Sequence, residues 1–120
     1  MRTRTTLALL ALFAAPTAWA LPTSVKALAQ FDVGYAACEK TYAHMRGHQD
    51  EAYVAAWKRT LNATIKEQLV TARKSVEYKS ERKNALARME KNQSPDTAAR
   101  LDKQCQALWR EVQLAPKSPS

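Results

Sequence analysis

Apolar positions along this chain fall into stripes at helical spacing. After Pro22-Thr23-Ser24 they read Leu28, Phe31, Tyr35, Cys38, Tyr42 and Met45, at intervals of 3, 4, 3, 4 and 3. That rhythm places all six on one side of a helix packed against neighbours. Ser24 can cap its first turn, and Arg46-Gly47 supplies a cation and a left-handed residue at its end. The pattern predicts a first helix over 24–46. A second begins near Asp50, with Asp50 and Glu51 in the electropositive first turn. Its stripe is Val54, Trp57, Leu61, Ile65, Leu69, Ala72 and Val76. It fades through the polar run 77–84 and returns weakly at Leu86 and Met89. Ser94-Pro95-Asp96 opens the last helix with a capping hydroxyl, a proline suited to the first helical position and an acid that complements the dipole. Its stripe is Ala98, Leu101, Cys105, Leu108 and Val112, flanked by Trp109, and Pro116 ends it.

The turn residues agree with an all-α reading. The 120-residue chain has 2 glycines and 5 prolines, and none of the prolines falls within 23–94. A β-rich domain of this size needs turn residues every 8–12 positions or so.

Residues 1–20 have the layout of a secretory signal peptide: Arg2 and Arg4, the apolar run Leu7–Ala15, Pro16, then Ala18-Trp19-Ala20. Cleavage is expected after Ala20. The run is far shorter than the ~20 residues that span a bilayer. Position 21 is leucine, so lipid attachment at a cysteine is not expected. Arg2 and Arg4 are not adjacent, so neither is twin-arginine export. The short signal suggests a bacterium, and so the periplasm or the medium. Asn62-Ala63-Thr64 and Asn92-Gln93-Ser94 match the glycosylation pattern by chance. The expected organisation is a signal at 1–20, a helical domain at 21–115 and a disordered tail at 116–120.

Export changes how the two cysteines read. In an oxidising compartment Cys38 and Cys105 are expected to pair. Pairing limits the topology, because a disulfide needs Cα atoms within about 7 Å. If 50–92 were one straight helix, Cys38 would lie opposite residue 58 and Cys105 opposite residue 83, about 37 Å apart. If that stretch folds back, both turns come to one end and the thiols meet. The expectation is therefore an up-down-up-down bundle of four helices, with the break in 77–84 and Ser80 or Asn84 as cap. The second and third helices could be continuous. A long three-helix form with the cysteines free, or paired between chains, stays open as the rival.

Charge is uneven. The full chain is +8, and +6 without Arg2 and Arg4. Residues 58–91 hold 10 basic and 4 acidic groups, so the excess is local to the middle of the chain. Arg73, Lys74, Lys79, Arg82 and Lys83 form the candidate partner-binding face. Its partner could be a protein, such as a toxin or an envelope enzyme, or an anionic envelope surface. Nucleic acid is disfavoured, because Tyr78 is the one aromatic among these charges.

Other constellations read as structure. His44 and His48 have metal-ligand spacing, but Gly47 interrupts them and no clear third ligand follows. Glu77 and Glu81 are expected in solvated ion pairs with Arg73, Lys74, Arg82 and Lys83, not in acid–base work. The aromatics sit on or beside the stripes, as core residues. C-x-x-C, C-x-x-C-H, H-E-x-x-H, G-x-S-x-G and a phosphate loop do not occur. No cofactor, metal or catalytic residue is assigned. The layout is similar to that of small periplasmic immunity proteins, helical lysozyme inhibitors and acid-stress chaperones. Basic charge counts against inhibition of lysozymes, which are commonly basic, and the L-T-x-x-Q repeats of one basic chaperone group are absent. The expected function is non-enzymatic binding of a protein partner, as an inhibitor or immunity-type protein. The alternative is an envelope-stress or chaperone-like protein.

Overall fold

A computed structural model describes residues 21–115. The expected signal peptide at 1–20 and tail at 116–120 lie outside the described residues. Among the described residues there are five α-helices, one 3-10 turn and no strand. They are α1 (Val25–Thr41), the 3-10 turn (Ala43–Met45), α2 (Gln49–Ala56), α3 (Ala63–Lys74), α4 (Val76–Lys91) and α5 (Pro95–Leu114). The all-α expectation holds, and the helix count is five, not four.

Both expected caps form. The Ser24 hydroxyl accepts from the Ala27 amide at 3.2 Å. Ser94 and Thr97 exchange side-chain and backbone bonds in a capping box, with Pro95 in the first turn. The first helix, however, stops at Thr41 and not at 46. Tyr42 is extended, and the 3-10 turn folds the chain back along α1. The buried Tyr35 hydroxyl holds that return by donating to the Met45 carbonyl at 2.6 Å. Gly47 is left-handed, at φ 83°.

The expected long second helix is interrupted twice, and neither interruption lies in 77–84. The first follows Ala56. Lys58 sits at φ 57°, its amide bonding the Ala55 carbonyl at 3.0 Å and the Arg59 amide bonding Val54 at 2.9 Å. This is a Schellman ending, with a lysine where glycine is usual. The second is at Ser75. Its hydroxyl donates to the Ala72 carbonyl at 2.7 Å and accepts from the Tyr78 amide at 3.1 Å, so one side chain closes α3 and opens α4. Neither Ser80 nor Asn84 caps a helix, since α4 runs through both. Two stripe residues therefore leave the core: Trp57 is 50% exposed and Val76 83% exposed.

Cys38 and Cys105 form a disulfide with a Cα separation of 5.6 Å. Just past the end of α1, Tyr42 donates to Asp102, which precedes Cys105, so α1 and α5 are antiparallel. α4 meets α1 where the Tyr78 hydroxyl reaches Asp32. From Tyr78 to Lys91 the chain rises about 20 Å, and from Ser94 to Cys105 it returns about 16 Å, at 1.5 Å per residue. These rises bring Cys105 to Cys38 only if α4 runs parallel to α1. α2 lies antiparallel to α1, since Met45 meets Tyr35 while Tyr53 meets Phe31 and Thr23.

The core is two clusters. One contains Leu28, Ala29, Tyr53, Val54, Leu69 and Tyr78. The other surrounds the disulfide, with Tyr35, Met45 and Ala52. Phe31 packs against both, stacking on Tyr35 at 5.8 Å and meeting Tyr53 edge-on at 5.5 Å. No described helix is long and apolar enough to cross a membrane.

Candidate functional site

The five residues of the predicted basic face do not stay together. Arg73 turns inward. Its Nε and Nη2 donate to the two Asp32 oxygens at 2.8 and 3.0 Å, and its Nη1 donates to Asp50 at 2.7 Å. Asp32 is 2% exposed, and the Tyr78 hydroxyl also donates to it. One guanidinium thus ties α1, α2 and α3 together, and Tyr78 adds α4. Burial works against the Arg73 charge, but the hydrogen bonds to Asp32 and Asp50 outweigh it, so its pKa is raised. Burial first, then the hydrogen bond to Asp32, pushes Tyr78 up to about 12. A guanidinium held in this way is structural and is withdrawn from the surface.

Lys74 is exposed at the end of α3, across the Ser75 bend from the remaining three. Lys79, Arg82 and Lys83 are all exposed and lie on α4. The inner side of α4, with Tyr78 and Ala85 buried, packs along α1. At 100° per residue, Lys79, Arg82 and Lys83 all fall on one flank of that contact. The exposed Val76 and Leu86 share the flank. Among the described residues, no carboxylate pairs with any of the three cations. Glu77 and Glu81 occupy the other flank, and the ion pairs expected of them do not form among the described residues. Three free cations beside two uncovered aliphatic side chains can attract an acidic surface and give it apolar contact.

No protein-family model, curated protein or solved structure matches this chain.

The histidines belong to a different surface. His44 and His48 meet Trp109 edge-on at 5.0 and 5.5 Å, and His48 Nδ1 lies 2.8 Å from Glu51. Among the described residues, no group of three or more His, Cys, Asp or Glu side chains is placed to hold a metal ion. Gln106 donates to both the Tyr42 hydroxyl and Asp102. A surface groove of about 770 Å³ lies between the start of α1 and the length of α3, lined by Leu21, Val25, Ala72, Thr64, Thr71 and Glu67 among others. Its lining combines aliphatic side chains, hydroxyl groups and the Glu67 carboxylate.

The Asp32–Arg73 pair was missed by the sequence reading. A signal for it existed: Asp32 lies four residues after Leu28, on the buried side of α1. A carboxylate in that position requires a buried cation.

Proposed function

We propose that this chain is exported, is cleaved after Ala20, and acts without catalysis by binding an acidic protein partner, in the manner of an inhibitor or immunity-type protein. The binding surface is the open flank of α4. The observation that supports this reading is the placement of Lys79, Arg82 and Lys83, all free of described carboxylates, beside the exposed Val76 and Leu86. Long-range attraction between such a face and an acidic patch raises the rate of encounter, and like charge in its place costs several kcal/mol. Arg73 has no direct part in this, because Asp32 and Asp50 hold it.

The test compares capture of envelope proteins by the mature chain and by the K79E/R82E/K83E variant, over a range of salt concentrations. The expected result is one stoichiometric partner, captured less well as salt rises and lost on charge reversal. R88E, on the opposite flank, keeps it. Capture unaffected by the triple reversal removes α4 from the account. A broad set of clients points to the chaperone-like alternative, and binding to anionic vesicles with no protein captured points to the envelope surface.

A further inference from the structure

Resting on that reading of α4, we propose that the occupant of its open flank is an acidic amphipathic helix of the partner, laid along α4 in heptad register. The argument begins with spacing. Val76, Lys79, Lys83, Leu86 and Glu90 are all exposed or partly so, at intervals of 3, 4, 3 and 4. On a helix these positions fall within an arc of about 80° and extend about 21 Å. A stripe with a mean interval of 3.5 is the seam that a second helix reads at a shallow crossing angle. α4 is 16 residues long and unbroken, and α1 covers only its far side.

The chemistry of the seam specifies what lies opposite. Val76 and Leu86 are aliphatic and ask for aliphatic neighbours. Lys79 and Lys83 lie between them and ask for carboxylates. Glu90 closes the row and asks for a cation. The exposed Ser80 and Ala87 flank the row and leave a partner backbone room to approach. The facing sequence is therefore aliphatic, acidic, acidic, aliphatic, basic. A lipid surface fits less well. A helix lying in a bilayer interface keeps apolar side chains at the centre of its buried arc and cations at the margins, where they can snorkel. Here the ammonium groups hold the centre and a carboxylate ends the row.

The experiment uses the mature chain and two synthetic helical peptides. The first presents Leu, Glu, Glu, Leu and Lys at the five facing positions, and the second carries Lys in place of both Glu. Binding is read by titration calorimetry, with phosphatidylglycerol vesicles as a separate arm. The first peptide is expected to bind one to one and the second not at all. V76S/L86S is expected to weaken the first peptide by about tenfold. K79E/K83E abolishes binding of the first peptide and creates binding of the second, a swap that general stickiness does not produce. Circular dichroism confirms that the variants, all altered at exposed positions, stay folded. Equal affinity of V76S/L86S and the parent for the first peptide, binding to vesicles in preference to either peptide, or no swap, overturns the proposal. If the peptides fail while capture of an envelope partner still depends on Lys79, Arg82 and Lys83, the helical occupant falls and the binding face stands. If both fail, both fall.

Discussion

Replacing Arg73 with methionine tests whether its ion pair with the buried Asp32 is structural. The guanidinium makes three bonds of 2.7–3.0 Å to Asp32 and Asp50. Without it, Asp32, at 2% exposure, keeps one donor, the Tyr78 hydroxyl. Removing one member of a buried ion pair costs about 3–5 kcal/mol, chiefly because the survivor stays charged and desolvated. The Asp50 arm adds little, since that side chain is 33% exposed and water can replace the bond. In a domain of this size each kcal/mol moves Tm by about 4–8 °C, so R73M is expected to melt at least about 12 °C lower. The paired replacement D32L/R73M removes the charge together with its partner and is expected to recover most of the loss. The assay is urea unfolding followed by circular dichroism, arranged as a double-mutant cycle. A loss below about 1 kcal/mol for R73M, or a double variant as unstable as the two single losses added together, refutes the reasoning. Partner binding by folded R73M is expected to match that of the parent, whereas K79E/R82E/K83E is not.

The Cys38–Cys105 bridge has a sequence separation of 67, and a loop of that length corresponds to about 4 kcal/mol in the chain-entropy treatment. Melting with reductant is therefore expected well below melting without it, and equal midpoints contradict this. Tyr35 and Tyr78 are raised to about 12, in both cases by burial first, with Glu39 and Glu51 adding to Tyr35 and Asp32 to Tyr78. Unfolded tyrosine ionises near 10, so above that pH the folded state holds more protons than the unfolded state. Stability is expected to be level up to about pH 10 and to fall steeply between about 10 and 12, and Tyr35 and Tyr78 should titrate late in ultraviolet difference spectra. Ordinary titration of these two contradicts the packing described. Lys58→Gly relieves a left-handed residue at the end of α2 and is expected to stabilise by about 1 kcal/mol, although it gives up the exposed pair with Glu111. Lys58→Ala keeps the backbone cost and is expected to show no gain.

The parts legible in the sequence are those where local chemistry and the tertiary structure agree. Ser24 and Ser94-Pro95 announce helix starts with side chains that can do one job there. The cysteines, read as a length constraint, require the chain between them to double back, and it does. The locations of the reversal and the bend were not legible. Trp57 continues the intervals of 3 and 4 straight through a reversal closed by Lys58, where no glycine marks the left-handed position. Val76 continues them through a bend made by one serine hydroxyl. Periodicity sees neither, because both breaks happen to preserve the phase of the stripe. Arg73 was misplaced for a related reason: a cation in a basic run counts as surface until its partners, Asp32 and Asp50, are brought beside it by helices distant in sequence. Among the described residues Lys79, Arg82 and Lys83 have no such partners, and they remain outside.

A photo-crosslinking residue moved one position at a time along α4 tests the binding face most directly. Placed in the exported chain at 79, 83 and 86, it is expected to trap a single acidic protein in the envelope, and at 77, 84 and 88 on the opposite flank it is expected to trap none. Adducts with no preference between the two flanks, or confined to the second set, contradict the account.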